Sequence, residues 1–137
     1  MPKISIISIN YNDAIGLKKT IDSVRIQKYT DFEYIIIDGG STDGSLELIK
    51  ENEGRINYWI SEADKGVYNA MNKGILAAKG EYLLFLNGGD WFSNTESLGF
   101  LANNTGDFDI VFGNTYFYYS ENKITENKRG STNLIFG

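Results

Sequence analysis

Short apolar runs alternate with segments of helical periodicity over the first 86 residues of the chain. The run from Lys3 to Ile9 is β-branched and mostly apolar, which is typical of a strand buried on both faces of a parallel sheet. Three similar runs follow, from Tyr34 to Ile37, from Ile56 to Ile60 and from Tyr82 to Leu86. The pattern therefore predicts four strands in this part of the chain.

Apolar residues at helical spacing fill the three intervals between these strands. The spacing predicts helices over about 15–27, about 42–53 and 67–78. The third is the most regular, because its apolar residues fall at i, i+3, i+4, i+7, i+8 and i+11: Val67, Ala70, Met71, Gly74, Ile75 and Ala78. The β-α-β-α-β-α-β order predicts an α/β fold, with a mostly parallel sheet flanked by helices on both faces.

The pattern is less regular after residue 90. A short helix is predicted from Leu98 to Leu101 and a strand from Asp109 to Gly113. Two further segments, 115–119 and 123–126, predict a hairpin. We expect one domain over residues 1–137, with a βαβ core over 1–90 and the start of a second region over 91–137.

Polar residues follow each of the four predicted core strands at its carboxyl end. They form the clusters 10–13, 38–40, 61–65 and 87–90. In open α/β sheets the ligand crevice lies outside the carboxyl ends of the strands. We therefore expect these clusters to meet at one edge of the sheet.

Composition narrows the chemistry available at that edge. The net charge of -5 argues against a general nucleic-acid surface or an anionic-membrane surface, which would need a basic excess. The chain has no cysteine and no histidine, so acid–base or metal chemistry must depend on carboxylates. The apolar N-terminal stretch is interrupted by Asn10 and Asn12 too early for a signal peptide or a spanning helix, so we expect a soluble, cytoplasmic chain.

Two residues after the first strands could contact a planar ligand. Asp38, followed by two glycines, is either a turn former or an acceptor for an N–H group of a base such as uracil. Tyr11 is either a core residue or an aromatic face for stacking.

The start of the third helix offers a second pair of candidates. Asp64 fits a helix N-cap, which is its simpler interpretation. Lys65 at the same helix start could reach a phosphate, alongside the free amides of the first turn.

The strongest candidate for metal chemistry is Asp90, in the stretch LLFLNGGDW. A site for Mg²⁺ or Mn²⁺ often needs only one or two protein carboxylates when phosphates donate the other ligands. Gly88 and Gly89 would let a diphosphate approach the backbone closely. The alternative interpretation is an ordinary turn after a buried strand.

Four strings, in this order and spacing, give the chain a specific resemblance: SIISINYN, IIIDGGSTDGS, SEADKGVYNAMNKGI and GEYLLFLNGGDWF, continued by DIVFGN. With these motifs it resembles the family 2 glycosyltransferases of the GT-A fold, a Rossmann-like fold, over nearly its whole length. The subgroup it is most similar to makes bacterial surface polysaccharides. The resemblance implies a transferase that moves a sugar from a nucleotide sugar to a saccharide or lipid-linked acceptor with inversion.

The resemblance also implies roles for single residues. Asp38 matches the residue that binds the uracil of a UDP-sugar. Tyr11 matches the residue that lies against the base. Asp64 and Lys65 match the loop that borders the ribose and the diphosphate. The family's DxD metal motif falls on 87–90, where Asp90 matches the metal-side carboxylate for Mg²⁺ or Mn²⁺ and Asn87 replaces the earlier aspartate.

Family members continue beyond this length, and their later half holds the acceptor site and the general base. We therefore expect the general base beyond Gly137, and the chain to be the donor-binding half of a longer enzyme, truncated at its C-terminal side. Glu121 and Glu126 are not assigned that role. The expected location is cytoplasmic, with peripheral association at the inner face of the membrane left open.

Two other functions stay open at this point. A nucleotidyltransferase of similar architecture usually has a glycine-rich, basic segment after the first strand, and residues 10–13 are neither. A nucleotide-binding module without catalysis would explain the lack of a base in this chain. Turnover by a longer form would separate the module from an enzyme.

Overall fold

The centre of the sheet is built from the two most apolar strands of the chain. In the computed structural model, which describes residues 1–107, 109–112, 115–120, 123–127 and 134–136, β1 (Ile4–Asn10) pairs in parallel with β2 (Phe32–Asp38). β3 (Tyr58–Ser61) lies outside β2, and β4 (Tyr82–Phe85) lies on the other side of β1, both parallel. This confirms the predicted parallel core.

Four helices cover the two faces of the sheet unequally. They are α1 (Ala14–Arg25), α2 (Ser45–Glu51), α3 (Val67–Ala77) and α4 (Ser97–Asn103). Buried residues of α1, α2 and α4 pack with Ile4, Ile6 and Ile36 on one face. Ala70 of α3 packs with Ile7 and Ile35 on the other, so the helices flank the sheet as predicted.

All four core strands differ from their predicted ranges by one or two residues at an end, and β3 and β4 show this most clearly. The segment expected to begin β3 at Ile56 instead closes a 3-10 turn (Glu53–Arg55), because the Ile56 amide donates to the carbonyl of Glu53. β3 therefore begins at Tyr58. β4 ends at Phe85, one residue early, although Leu86 is fully buried.

The sheet continues beyond β4 with strands of mixed direction. Its order is β3-β2-β1-β4-β8-β5, where β5 is Ile110–Phe112 and β8 is Leu134–Phe136. β8 is antiparallel to both of its neighbours. β5 was predicted, whereas β8 was not, because three apolar residues carry no periodicity of their own. β6 (Thr115–Ser120) and β7 (Lys123–Asn127) form the predicted antiparallel hairpin as a separate sheet.

The helix starts correct one further prediction. Asp13 caps α1 by accepting a hydrogen bond from the Gly16 amide. The N-cap of α3 is Gly66, at φ 105°, and not Asp64. Within the described part of the chain, no helix is long and apolar enough to cross a membrane.

Gly74 provides a test of how α3 packs on the sheet. A Cβ atom at Gly74 would lie 2.5 Å from Cγ2 of Ile7 and 3.6 Å from Cγ1 of Ile37. We expect Gly74→Ala to lower the free energy of unfolding by about 1 kcal/mol net, because an overpacking cost of about 1–3 kcal/mol exceeds the helix-propensity gain of about 1 kcal/mol. Urea unfolding measures the difference.

The matched control is Gly54→Ala in the 3-10 turn, where an added Cβ would meet nothing within 4 Å. That variant should stay within about 0.5 kcal/mol of the wild type. A Gly74→Ala protein as stable as the wild type would show that α3 does not pack as closely as described.

Candidate functional site

The carboxyl ends of β1, β2 and β3 are aligned by strand register. Asn10 pairs with Asp38, and Asp38 pairs with Ser61. The backbone continues these contacts beyond the strands, since the amides of Gly39 and Gly88 donate to the carbonyls of Asn10 and Ile9. The polar clusters predicted from the sequence therefore meet at one edge of the sheet.

Asp38 is the buried centre of this edge. Its Oδ1 accepts hydrogen bonds from Asn10 Nδ2 at 2.9 Å and Ser41 Oγ at 2.6 Å. Its Oδ2 accepts from the Ser41 amide at 2.9 Å and Ser61 Oγ at 2.7 Å. These four donors match the acceptor capacity of a carboxylate, and the side chain is 0% exposed.

The environment of Asp38 keeps it charged. Burial raises the pKa of Asp38, but the hydrogen bonds from Ser41, Asn10 and Ser61 together outweigh burial and hold that pKa below its usual range. The carboxylate joins three strand ends and has no free acceptor. These contacts give Asp38 a role in joining the loops, and the base contact that the resemblance implies stays a prediction.

Hydrogen bonds also join the loops after β1 and β2. The Asn12 amide donates to Ser41 Oγ at 2.8 Å, and the Thr42 amide donates to Asn12 Oδ1 at 2.8 Å. Asn12 adopts φ 48°, which asparagine tolerates better than most residues. Neighbouring Tyr11 is 66% exposed, which excludes its interpretation as a core residue.

Tyr11 and Asp64 lie close together over Gly39. A Cβ atom on Gly39 would lie 3.2 Å from Cδ2 of Tyr11 and 3.0 Å from Oδ2 of Asp64. Asp64 Oδ1 accepts from the Gly66 amide at 3.0 Å, whereas none of the described residues donates to Oδ2. Lys65 is exposed, and its amide donates to Asn69 Oδ1 at 3.1 Å.

The turn after β4 is held by its backbone. The Asp90 amide donates to the Asn87 carbonyl at 2.8 Å, and Gly89 adopts φ 99°. The Thr20 hydroxyl of α1 accepts from the Gly89 amide at 3.0 Å and lies 2.6 Å from the Asp90 carbonyl. These contacts use backbone atoms of the turn, so the Asp90 side chain is not needed to hold it.

The Asp90 carboxylate differs from that of Asp38 in burial, in hydrogen bonding and in the direction of its pKa shift. It is partly buried and makes no hydrogen bond or ion pair with a residue that the structure describes. Burial raises the pKa of Asp90. The Oδ1 atom of Asn87 is buried and also lacks a donor in that part of the chain.

The chemical type of these oxygens suits a hard divalent cation. Carboxylate and amide oxygens are the ligands that Mg²⁺ and Mn²⁺ prefer. The described residues contain no cluster of three or more acidic, histidine or cysteine side chains, so the protein would supply only part of a coordination shell. A phosphate-bearing ligand would have to supply more of it.

Asn10 and Asp13 were predicted only as members of the polar cluster 10–13, and Ser41 and Thr20 were not predicted at this edge. Asp13 Oδ2 lies 3.2 Å from the position of a Cβ on Gly89, so a second carboxylate borders the turn. Its place directly after a strand and before a helix was the available signal. Of the two unassigned glutamates, Glu121 lies outside the described residues and Glu126 is described only as part of β7.

Comparison with known proteins identifies similar sequences along most of the chain. The model of the family described as glycosyl transferase family 2 matches residues 5–136. An uncharacterized glycosyltransferase of Mycobacterium tuberculosis is 45% identical over 96 residues, which cover 69% of this chain and 37% of the relative. A PGL/p-HBAD biosynthesis glycosyltransferase of Mycobacterium bovis is 36% identical over 118 residues, covering 82% and 46%. The chain thus spans less than half the length of these relatives.

Solved structures agree on the fold. Staphylococcus aureus TarS 1-349 in complex with UDP-GlcNAc superposes with a TM-score of 0.70 at 24% identity, covering 79% of this chain and 33% of that one. The mannosyltransferase PcManGT from Pyrobaculum calidifontis, in complex with GDP-Man and Mn²⁺, gives a TM-score of 0.71 at 21% identity with the same coverage. These similarities confirm the predicted GT-A fold.

The hydrogen bonds of Asp38 predict a pH-dependent contribution to stability. Asn at this position would leave buried donors unpaired, so Asp38→Asn should cost about 1–3 kcal/mol at pH 7. The folded pKa of Asp38 lies below its unfolded value of about 3.9, so the ionised group stabilises the fold above that pH and loses its contribution as pH falls through the folded pKa. Urea unfolding at several pH values measures this.

The difference between wild type and Asp38→Asn should therefore shrink below about pH 4. Asp31→Asn is the matched control, because Asp31 is exposed just before β2 at the opposite edge of the sheet. A difference that stayed constant from neutral to acid pH would contradict the assignment.

Asp90 should have the opposite effect on stability. Because burial raises its pKa, the protonated form stabilises the fold at low pH, and that contribution is lost as pH rises through the folded pKa. Asp90→Asn should therefore raise the urea midpoint slightly at pH 7 in metal-free buffer and give no gain at pH 3. A lower midpoint at pH 7 would mean that the carboxylate has a stabilising partner.

Proposed function

The chain belongs to glycosyl transferase family 2, and we propose on that premise that it is the donor-binding part of an enzyme that transfers a sugar from a nucleotide sugar, with UDP-sugars as the first candidates. The observation that carries the proposal is the partly buried Asp90 carboxylate, which lacks a partner among the described residues. It lies at the same sheet edge as the exposed Tyr11 ring. An unpaired carboxylate with a raised pKa in such a place is typical of a functional site.

The diphosphate would lie against the turn after β4. A Cβ on Gly88 would lie 2.7 Å from Asn10 Oδ1, so this turn packs too closely against β1 for a side chain at that position. Asp90 and Asn87 would hold Mg²⁺ or Mn²⁺ through their oxygens. A bound cation would neutralise the charge that develops on the departing diphosphate.

The remaining contacts to the donor come from the loops after β1, β2 and β3. The exposed Tyr11 ring supplies a stacking face for the base. The Lys65 ammonium is exposed and makes no ion pair with a described residue, so it can reach a phosphate. Asp38 is proposed to bind the base, and Asp64 to border the ribose and the diphosphate together with Lys65.

The transfer itself is proposed to proceed with inversion. An acceptor hydroxyl would attack the anomeric carbon opposite the leaving diphosphate, and a carboxylate acting as general base would take the hydroxyl proton. That base is proposed to lie beyond Gly137, in the part that the longer relatives have in addition. The acceptor is proposed to be a saccharide or a lipid-linked glycan.

The cellular role proposed for the enzyme is surface polysaccharide or glycolipid synthesis. Support comes from the relative named for PGL/p-HBAD biosynthesis, which is 36% identical over 118 residues. A cytoplasmic location, peripheral to the inner face of the membrane when the acceptor is lipid-linked, belongs to the same proposal.

Calorimetric titration with UDP, with and without Mn²⁺, tests the donor site. We expect Mn²⁺ to tighten UDP binding by about tenfold or more, because it bridges the diphosphate and the protein oxygens. Asp90→Asn should remove the effect of Mn²⁺ while leaving metal-free binding nearly unchanged.

Asp31→Asn is again the matched control and should keep the full Mn²⁺ effect. Titration with GDP under the same conditions tests the nucleotide part of GDP-Man, the donor bound to the structural neighbour PcManGT. The proposal fails if a folded protein binds neither nucleotide. The metal assignment fails if Mn²⁺ tightens binding equally in the Asp90→Asn variant.

A further inference from the structure

The loop that carries Asp90 has no strand or helix of its own. It covers residues 86–96, between the end of β4 and the start of α4. Buried N–H and C=O groups of such a loop need partners in another part of the chain. Three buried polar side chains supply them: Thr20 and Ser23 of α1, and Gln27 just after this helix.

Ser23 and Gln27 hold the later part of the loop. Ser23 Oγ accepts a hydrogen bond from the Phe92 amide at 3.2 Å. Gln27 Nε2 donates to the Asn94 carbonyl at 2.7 Å, and its Oε1 accepts from the Leu98 amide at 3.0 Å. The later part of the loop is therefore fixed along α1.

Thr20 holds the first part of the loop, where Asp90 lies. Its hydroxyl accepts from the Gly89 amide at 3.0 Å, and it lies 2.6 Å from the Asp90 carbonyl and 3.3 Å from the Asn87 carbonyl. The hydroxyl has one proton to donate, and the Asp90 carbonyl is its nearest acceptor. Since Thr20 is 0% exposed, this contact is part of the protein interior.

The orientation of the Asp90 carboxylate depends on this backbone contact. The carboxylate makes no hydrogen bond with a described residue, so only the backbone and the surrounding packing set its direction. The hydroxyl of Thr20 bonds to the backbone of Asp90 itself and of Gly89 before it. Groups that orient a metal ligand contribute to metal affinity although they do not touch the metal.

We propose that Thr20 is a positioning residue for cation binding, because its hydroxyl fixes the turn that presents Asp90. Thr20 itself contacts neither the cation nor the nucleotide, and Ser23 and Gln27 extend the same support along α1. The inference rests on the proposed function, which assigns the cation to Asp90. A threonine that only stabilised the fold would affect unfolding and would leave cation affinity unchanged.

The side chain of Thr20 can be changed without a large change in size. Thr20→Val removes the hydroxyl, and Thr20→Ser keeps it and serves as the rescue variant. Thr105→Val is the matched control, because Thr105 is 2% exposed and its hydroxyl donates to the Ala102 carbonyl of α4 at 3.2 Å. Urea unfolding measures the stability of each variant. Thr20→Cys, whose thiol is a weaker hydrogen-bonding group, takes the place of Thr20→Val if the latter does not fold.

Calorimetric titration with Mn²⁺ in the presence of UDP gives the apparent Kd of the cation. We expect Thr20→Val to raise this Kd by about tenfold, as is typical when a group that orients a metal ligand is lost. UDP binding without metal should stay within about twofold of the wild type, because the hydroxyl acts through the Asp90 turn. Thr20→Ser and Thr105→Val should both keep a Kd close to that of the wild type. GDP replaces UDP if it is the nucleotide that the protein binds.

Hydrogen exchange of the Gly89 amide, followed by NMR, tests the contact itself without metal or nucleotide. The amide should be protected in the wild type and in Thr20→Ser, where the hydroxyl accepts its hydrogen bond. In Thr20→Val it should exchange about tenfold faster, because that hydrogen bond is lost. Equal exchange in all three proteins would contradict the contact on which the inference depends.

The outcomes separate this inference from the proposed function. An unchanged apparent Kd for Mn²⁺ in Thr20→Val overturns the inference, while loss of the Mn²⁺ effect in Asp90→Asn would still support the metal assignment. A Kd raised equally in Thr20→Ser or in Thr105→Val also overturns it, because the effect would then not come from this hydroxyl. A folded wild type without any Mn²⁺ effect overturns both the inference and the metal assignment. Absence of nucleotide binding overturns the proposed function as well.

Discussion

The hydrogen bonds of the Asp38 carboxylate are the constraint on which the site edge depends. A charge that is 0% exposed is tolerated only if its hydrogen-bonding capacity is met, and four donors from three segments meet it here. Each donor is thereby fixed in place, including Ser41, which in turn accepts from the Asn12 amide. The loops after β1, β2 and β3 cannot move independently, so Tyr11 and Asp64 are held close together without a direct bond between them.

Asp38 and Asp90 have the same side chain but different environments, and the environments shift their pKa values in opposite directions. Hydrogen bonds lower the pKa of Asp38 against the effect of burial, whereas burial without a described partner raises that of Asp90. The first carboxylate stabilises the fold, whereas the second costs free energy while it lacks a partner. Buried polar groups are normally paired, and the exceptions occur chiefly at functional sites. The unpaired Asp90 is therefore the better candidate for ligand contact.

The sequence predicted the parallel core and the site edge because both follow from local patterns. Apolar runs such as the one through Ile35 and Ile36 define strands, and polar clusters at their carboxyl ends identify the crevice. What it could not predict depends on contacts between distant segments. β8 inserts next to β4 through only three residues, and the saturation of Asp38 involves Ser61, 23 positions away. The role of Asp64 changed because Gly66, at φ 105°, begins α3 in its place.

The excess of negative charge at this edge of the sheet explains why, under the proposed function, a diphosphate would bind together with a cation. Asp13, Asp64 and Asp90 border the space that a diphosphate would enter, in a chain of net charge -5. Lys65 offers a positive charge from the α3 side, and Lys19 lies 5.3 Å from the Trp91 ring beside Asp90. Two exposed ammonium groups do not offset three carboxylates and the charge of a diphosphate. A divalent ion bound to Asp90 would replace the repulsion between this carboxylate and the diphosphate by attraction of both to the ion. The negative charge that makes Asp90 unfavourable without a ligand is therefore the same property that its proposed function requires.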